Sequence, residues 1–433
     1  MGWARGLYSA ALHALSPLIW RRLRREHALT DARGGPGESP RALRLGRVPE
    51  TPPGEPMLWL HCASVGEVLA ARPLIEALLS RYPRHRLTLT TMTATGAERA
   101  RALAAARGDD RLVHRFLPLD FPAAAARFVT RLRPELALLF ETELWPNLLA
   151  ACRRQGVPVA VVNGRLSPRA FHGYRRLRPL MRETLGCVDW LAAKSSADAE
   201  RFQALGMAAE RSTVVGSLKF DIAIDGAARE VSERLRIRLG ERPVWVAGST
   251  HEGEEAALLV AHARLRETHG NALLVLVPRH PQRFDEVARL CERAGMPAAR
   301  RSRGEWPEAD AAVYLADTMG ELLACYGAAD LAFVGGSLVP VGGHNLLEPA
   351  ALGVPVLTGP ELANFAEVAE VLREADALVE VADAEALAAA LAGLLADPAE
   401  RRRLGEAGRA VVAANRGALE RTLEGLARLL PPK

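Results

Sequence analysis

The sequence predicts an α/β protein made of two similar halves, each built on a parallel β-sheet with helices on both faces. From residue 57 onward, short apolar runs alternate with alanine-rich amphipathic segments, and the same alternation restarts at residue 243. Continuous apolar strands separated by helices are typical of parallel sheets that are buried on both sides. The length of 433 residues agrees with two or three domains.

The first half contains six strand candidates with helical segments between them. They are 57–61, 86–91, 135–140, 157–162, 189–193 and 213–216, with helices at 67–81, 95–106, 144–155 and 174–185. The second half has strand candidates at 243–249, 272–278, 311–316, 330–336 and 355–359, with helices at 253–268, 282–294, 319–328 and 345–352. The charged stretch 217–242 has no strand pattern and is interpreted as a hinge. We therefore expect domains at 57–220 and 221–433, with a cleft between them.

Composition and charge narrow the classes of function. The net charge is +5 on 433 residues, which does not indicate a nucleic-acid-binding protein. Only three of the 56 basic residues are lysines, so contacts with phosphate would be made by guanidinium groups. The five cysteines are scattered and form no C-x-x-C pair. This argues against a disulfide framework or a zinc site and indicates a reducing compartment.

Residues 1–25 are expected to form an N-terminal membrane anchor. The apolar run 6–20 is followed at once by arginines at 21, 22, 24 and 25, which would keep the following chain on the cytoplasmic side. A helix over this run reaches ~22 Å, short of the ~30 Å hydrocarbon core, so we interpret it as a shallow or monotopic anchor. Two alternatives stay open: an amphipathic helix packed on its own domain, and a true span. Residues 26–56 are rich in proline and glycine and predict a linker loop.

Charged side chains follow the predicted strands of the first half. Glu67 lies at a helix start after the first strand, where it suits either a general base or a simple capping charge. Glu141 and Glu143 directly follow an apolar strand, and two carboxylates there are costly to desolvate unless they have partners. One of this pair is expected to cap the following helix. Lys219 is one of three lysines in an arginine-rich chain, which favours a specific role.

The strands of the second half end in motifs typical of anion binding. Gly248-Ser249-Thr250-His251 and Asp317-Thr318-Met319-Gly320-Glu321 each open a helix, whose free N–H groups can hold a phosphate. Asn345 and Glu348 stand one turn apart after a glycine pair, which suits a nucleotide's phosphate and ribose hydroxyls. His344 has no second histidine or cysteine at ligand spacing, so no metal site is expected. Neither a G-x-G-x-x-G after a first strand nor a P-loop is present.

Eight motifs together resemble those of the 3-deoxy-D-manno-octulosonic acid (Kdo) transferases of lipopolysaccharide synthesis. They are HCASVGE (61–67), FETELWPN (140–147), NGRLS (163–167), GSLKFD (216–221), AGSTHEGEE (247–255), PRHP (278–281), DTMGEL (317–322) and GGHNLLEPA (342–350). The resemblance implies the GT-B glycosyltransferase fold, in which two Rossmann-like domains face a central cleft. It also implies transfer of Kdo from CMP-Kdo to lipid IVA at the cytoplasmic face of the inner membrane.

The same resemblance assigns roles to individual residues. It implies that Glu67 is the base that deprotonates the acceptor hydroxyl, and that Glu141 and Lys219 stabilise the transition state. Glu143 lies so close to Glu141 that it is kept as a second candidate. The resemblance implies no metal and no cofactor, and it places CMP against Pro278, Arg279, Met319, Gly320, Glu321, Asn345, Leu346, Leu347 and Glu348. The helix start at Glu67 is expected to lower the pKa of its carboxyl, and burial by the bound lipid would have to offset this effect.

Two other functions stay open on the sequence alone. The first is a UDP-sugar transferase or UDP-sugar 2-epimerase, since both can have two α/β halves with a nucleotide site in the second. The second is a membrane-peripheral scaffold that has lost catalysis. Retention of Glu67, Lys219 and both acidic residues at 141 and 143 argues against the scaffold, because an inactive copy would be free to lose them.

Overall fold

A computed structural model describes residues 2–27, 40–222 and 226–430 of the chain. The chain divides into unit 1, Met1–Asp221 with Arg416–Lys433, and unit 2, Ile222–Asn415. Each unit has a seven-stranded sheet in which every neighbouring pair of strands is parallel. The predicted fold class of two parallel-sheet α/β domains is therefore confirmed.

The elements alternate along the chain as predicted. Unit 1 begins with α1 (Trp3–His27), α2 (Pro40–Arg44), β1 (Met57–His61), α3 (Val65–Arg81), β2 (Arg86–Thr91), α4 (Ala94–Arg107), β3 (Leu112–Phe116), α5 (Pro122–Leu132), β4 (Leu136–Phe140), α6 (Pro146–Arg154), β5 (Val159–Gly164), α7 (Pro168–Arg175), α8 (Arg178–Leu185), β6 (Trp190–Ala193), α9 (Ser196–Leu205) and β7 (Ser212–Val214). Unit 2 contains α10 (Gly226–Leu239), β8 (Val244–Thr250), α11 (Glu255–Thr268), β9 (Leu273–Pro278), α12 (Phe284–Arg293), β10 (Ala298–Arg300), β11 (Val313–Leu315), α13 (Leu322–Gly327), β12 (Leu331–Val334), α14 (Leu347–Leu352), β13 (Val356–Thr358), α15 (Ala366–Glu374), β14 (Leu378–Glu380), α16 (Ala384–Ala396) and α17 (Pro398–Asn415). The last helix, α18 (Ala418–Leu429), belongs to unit 1.

Strand order fixes where a ligand can bind in each unit. The first sheet has the order β3-β2-β1-β4-β5-β6-β7, and the second has β10-β11-β9-β8-β12-β13-β14. The chain winds outward in one direction from β1 and in the other from β4, so these two adjacent strands form a topological switch point. In the second sheet β8 and β12 form the same kind of point. Open α/β sheets bind ligands at the carboxyl ends of such strands.

Local sequence explains why the helices start and end where they do. Helix α5 opens with Pro122, whose missing N–H is no loss at the first helical position. Its apolar residues recur at helical spacing, and the Phe128 ring packs edge-on against Trp59 of β1 at 5.2 Å. Helix α4 is capped by Thr93, which accepts a hydrogen bond from the Gly96 N–H, and it ends at Gly108 with φ +71°. Only glycine adopts that left-handed conformation without strain.

Three short strands and several helices, including α5 and α9, lie outside the predicted elements. Strands β3, β10 and β14 were not predicted, and the interpreted hinge at 217–242 contains α10. Strand β3 lies at the sheet edge with alternately buried side chains, so it lacks the continuous apolar run of the central strands. Strands β10 and β14 have only three residues each and are not buried on both faces.

The predicted second domain, 221–433, was wrong at its C-terminal end because α18 packs on unit 1. Leu423 and Leu426 of α18 are buried in the same cluster as Leu74 and Leu78 of α3. The Tyr82 hydroxyl donates to the Leu430 carbonyl at 2.6 Å. The apolar face of α18 is therefore buried against the first sheet's helices, which no local pattern could reveal.

The N-terminal segment forms helix α1, which packs on unit 1. Its Ser9 hydroxyl donates to Asn147 Oδ1 at 3.1 Å, and the Arg5 N–H donates to Glu183 Oε2 at 3.3 Å. None of the helices in the described part of the chain has the length and apolar character needed to cross a membrane. Packing on the domain was one of the alternatives left open by the sequence, and the membrane anchor stays a prediction.

Candidate active site

The start of α3 holds Glu67 at the carboxyl end of β1, which is the switch point of the first sheet. Ser64 caps the helix by accepting the Glu67 N–H at 3.4 Å, and its hydroxyl donates back to Glu67 Oε1 at 3.0 Å. The Ala63 N–H donates to Glu67 Oε2 at 2.8 Å. The arrangement resembles a capping box, except that Glu67 accepts the N–H of Ala63, one residue before the cap. The carboxylate is therefore held in one orientation by its own helix start.

Burial, together with the nearby charges of Glu143 and Glu141, raises the pKa of Glu67 to about 7, against the opposing effect of the hydrogen bonds from Ala63 and Ser64. The helix-end hydrogen bonds lower this pKa, as expected, but the loss of solvation in the folded chain outweighs them, so the net change is upward. The carboxyl is consequently about half ionised near pH 7, which is the condition in which a general base is most effective.

Glu143 contacts the nitrogens of two rings. The Trp145 Nε1–H donates to Glu143 Oε2 at 3.0 Å, and His61 Nε2 lies 3.3 Å from the same oxygen. His61 is fully buried, and its Nδ1 lies 3.0 Å from the Thr90 carbonyl oxygen. These contacts connect Glu143 to the sheet. The prediction that one acidic residue caps α6 is not confirmed, because Asp120 accepts the N–H groups of Asn147 and Leu148 instead.

Glu141 stands apart from Glu143 in its backbone and its contacts. It has φ +60°, a left-handed conformation that is uncommon outside glycine, and its N–H donates to the Val162 carbonyl at 2.9 Å. Within the described residues, its carboxylate has no hydrogen-bonded or ion-paired partner. A strained residue with a carboxylate left available is typical of an active site, so Glu141 fits a chemical role better than Glu143 does.

Lys219 reaches the same edge of the sheet from a 3-10 turn, Leu218–Phe220, which packs against α3. The turn is fixed by the Leu218 N–H, which donates to Asn163 Oδ1 at 3.2 Å. Asn163 Nδ2 and Ser217 Oγ are buried and make no hydrogen bond with any residue that the structure describes. Such groups carry a cost unless a ligand or water satisfies them. They are the polar groups of this site that the sequence motifs contained but did not single out.

The switch point of the second sheet carries three histidines. His251 Nε2 and His344 Nε2 lie 2.7 Å apart with stacked rings, and the His280 ring centre lies 5.0 Å from that of His251. Burial, together with the charges of His251 and Arg279, lowers the pKa of His344 to about 4. Sequence spacing had shown no partner for His344, because His251 precedes it by 93 residues. His344 therefore offers polar ring nitrogens without a fixed charge near neutral pH.

Glu254 organises the loops of this second site. Its side chain is fully buried and accepts N–H groups from His251 at 3.0 Å, Gly336 at 2.7 Å and Leu338 at 3.4 Å. These bonds join the loop after β8 to the glycine turn after β12, which are the two sides of the switch point. The sequence placed Glu254 near a helix start, but its connection to Gly336 depends on the fold.

The residues assigned to CMP follow strands β9, β11 and β12. Arg279 is placed by its N–H, which donates to the Thr250 carbonyl at 2.9 Å, and its charge acts on both His344 and Glu348. Asn345 Nδ2 donates to Glu348 Oε1 at 3.2 Å. Pro278, Leu346 and Leu347 have buried side chains, so a ligand would meet their backbone.

The three residues of the Met319–Glu321 turn differ in exposure, backbone conformation and contacts. Met319 is exposed, Gly320 has φ +91°, and the Glu321 carboxylate accepts two hydrogen bonds from Arg301 at 2.9 and 3.1 Å. In the part of the chain that the structure describes, no group of three or more His, Cys, Asp or Glu side chains is arranged to hold a metal ion.

Comparisons with known proteins assign the chain to a family. The family model described as 3-Deoxy-D-manno-octulosonic-acid transferase (kdotransferase) matches residues 41–222, and that described as Glycosyl transferases group 1 matches 307–411. The 3-deoxy-D-manno-octulosonic acid transferase of Bordetella pertussis is 42% identical over 98% of this chain and 98% of its own length. That of Haemophilus influenzae is 40% identical over 85% of this chain and 86% of its own.

Solved structures show the fold alone. UDP-GlcNAc 2-epimerase from Neisseria meningitidis, bound to UDP-GlcNAc, matches 86% of this chain and all of its own with a TM-score of 0.55, but with 13% sequence identity. The epimerase alternative raised by the sequence therefore shares the architecture with this chain, while the 40% and 42% identical relatives carry the transferase name.

Proposed function

Because the chain belongs to the 3-deoxy-D-manno-octulosonic acid (Kdo) transferase family, we propose that it transfers Kdo from CMP-Kdo to lipid IVA and releases CMP. The observation that carries this proposal is Glu67, a carboxylate fixed at the switch point of the first sheet, whose burial raises its pKa to about 7. A transferase acting on a sugar hydroxyl needs a base of this kind. The proposed setting is the cytoplasmic face of the inner membrane.

In the proposed reaction Glu67 takes the proton from the primary hydroxyl of the acceptor. The acceptor oxygen forms a bond to the anomeric carbon of Kdo as the bond from that carbon to the CMP phosphate oxygen breaks. Lys219 and Glu141 lie at the same edge of the sheet as Glu67, and their charges would stabilise the transition state. Glu143, held by Trp145 and His61, would keep this group in place.

CMP leaves as a phosphate monoester, and unit 2 supplies groups that favour this charge. Arg279 provides a guanidinium, which forms strong charge-assisted hydrogen bonds with phosphate oxygens. Asn345 and Glu348 are hydrogen-bonded to each other and present polar atoms suited to ribose hydroxyls. The proposed charge stabilisation uses arginine and backbone N–H groups rather than a metal ion.

The proposed membrane contact uses the outer face of α1. Trp3, Leu7, Leu15 and Leu18 are exposed, and at 100° per residue they fall within an arc of about 120°. Arg21, also exposed, continues the same arc. Apolar side chains followed by arginines suit a helix that lies at the headgroup level of an anionic membrane. Packing on unit 1 through Ser9 leaves this face available.

The direct test is incubation of the purified protein with CMP-Kdo and lipid IVA in excess EDTA, with products identified by mass. We expect lipid IVA to gain one or more Kdo masses, and the Glu67→Gln variant to gain them at least a hundredfold more slowly. CMP, but not UDP, should compete with the donor. No mass gain by the folded wild type, or inhibition by UDP in place of CMP, would overturn the proposed donor and acceptor. Activity that needs added Mg²⁺ would overturn the metal-independent mechanism.

A further inference from the structure

Unit 2 contains a cavity of about 550 Å³ that lies apart from most of the proposed donor site. Its walls come from α10, β11 and α13, with the chain around Arg301 and Trp306 closing one side. Of the residues assigned to CMP, only Glu321 contributes to the lining. The volume falls within the range of about 300–1,000 Å³ that is typical of small-molecule sites.

The body of this cavity is apolar. Val231 and Leu235 of α10 face Ala324 of α13 across it. The Trp306 indole stacks on the Tyr314 ring with centroids 5.9 Å apart and planes 20° apart. Ile237 also lines the cavity and is 79% exposed. These walls fit an apolar or aromatic ligand body.

The rim carries positive charge. Arg234 and Arg238 stand one turn apart on α10, are exposed, and make no ion pair with any described residue. The guanidinium carbons of Arg238 and Arg301 lie 5.4 and 5.5 Å from the centre of the Trp306 ring. Arg301 is already paired with Glu321, so two guanidinium groups remain available to an anion.

A buried hydroxyl in the wall also lacks a partner. Tyr314 is 1% exposed, and its Oη makes no hydrogen bond with any described residue. Burial raises the pKa of Tyr314 to about 12, so the phenol stays protonated and acts as a donor. A buried donor without an acceptor is rare in folded proteins and calls for an explanation, such as an absent ligand. This observation is independent of the charge at the rim.

From these features we infer that the cavity under α10 is a second ligand site, which binds a small molecule with an apolar or aromatic body and an anionic group. The anion pairs with Arg234 and Arg238, and the body lies against Trp306 and Leu235. Charge complementarity selects an organic anion over a neutral or cationic compound of the same size.

The test uses the full chain and the fluorescent probe 8-anilinonaphthalene-1-sulfonate, which joins an aromatic body to a sulfonate. We expect saturable binding with one component that is weakened at least tenfold in the double variant Arg234→Ala/Arg238→Ala. Arg229→Ala is the matched control, because it removes an exposed arginine from the same helix outside the cavity. Its affinity should equal that of the wild type. Saturating CMP should leave this component in place.

A second variant tests the cavity itself. Ala324→Phe fills the apolar body and should abolish the same component, with folding checked by circular dichroism and thermal melting. If this variant does not fold, the arginine pair still decides the question. Unchanged probe affinity in the arginine double variant, or displacement of the component by CMP, would overturn the inference. Equal losses of probe affinity in the double variant and in Arg229→Ala would also overturn the inference, because they would show only a general effect of charge.

Discussion

The pH dependence of transfer is the most direct consequence of the structure around Glu67. The pKa of this carboxyl is raised to about 7, mainly by burial, and a base works only when it is unprotonated. The ionised fraction therefore grows from about one eleventh at pH 6 to about ten elevenths at pH 8, so kcat/KM should rise about tenfold over this interval. Activity is lost as the pH falls through 7. The Glu67→Gln variant should be slower by about 10²–10⁴ and should show no such rise.

Ser64→Ala gives a sharper form of this test. The Ser64 hydroxyl donates to Glu67 Oε1 at 3.0 Å and favours the ionised carboxylate. A hydrogen bond to a charged group contributes about 1.5–3 kcal/mol. Because this site is partly exposed, we expect the effect to lie at the low end of that range. Loss of the bond should therefore raise the pKa of Glu67 by about one unit. The rate should fall about fivefold at pH 7 and recover above pH 9.

The assay is the initial rate of Kdo transfer to lipid IVA from pH 5 to 10 at constant ionic strength. Ser195→Ala is the matched control, because Ser195 caps α9 through the same reciprocal bonds with Asp198. Both substitutions should cost about 1 kcal/mol of stability through the lost cap, but only Ser64→Ala should move the pH profile. Glu67 would not be the base if the rate of Glu67→Gln lay within threefold of the wild-type rate, or if the wild-type profile were flat between pH 6 and 8. Glu141 and Glu143 would then be the candidates for the base.

Three further outcomes are expected. Arg279→Ala should raise the donor KM tenfold or more, from about 1.5–3 kcal/mol for a lost charged hydrogen bond, while Arg289→Ala on the outside of α12 should leave it unchanged. An equal KM in both variants would remove Arg279 from the donor site. Glu254→Gln should lower Tm and raise the donor KM, because a neutral amide holds the two loops less firmly. Calorimetry measures the first effect and steady-state kinetics the second. An unchanged KM would show that Glu254 contributes to stability and not to donor binding. Leu18→Glu on α1, where the side chain is 62% exposed, should reduce flotation with anionic vesicles, whereas Val260→Glu on α11 should not, and equal flotation would count against the membrane face.

The central strands could be predicted from sequence because burial on both faces demands an unbroken apolar run, as in Leu136–Phe140. Strand β3 could not, because its edge position allows His114 and Arg115 to interrupt the run. Sequence motifs placed Glu67 at a helix start, as the structure has it, but they gave only the contribution that lowers its pKa, since spacing does not show the burial that raises it. The contact of His251 with His344 depends on strands that neighbour each other only in the sheet.

The return of α18 to unit 1 has a consequence for how the chain folds during synthesis. The chain leaves unit 1 after Asp221 and re-enters it at Arg416, so unit 2 is an insertion within unit 1. The Asp221 carboxylate accepts the N–H groups of Gly417 and Leu419, both at 2.6 Å, and so ties the exit to the re-entry. Domains emerging from a ribosome usually complete themselves from the N-terminus onward. Here the order is reversed: unit 2 has all its strands once residue 380 is made, while unit 1 keeps an uncovered apolar surface until its final helix arrives. A nascent chain stalled shortly before residue 416 would therefore present the apolar surface of unit 1, and not of unit 2, to chaperones.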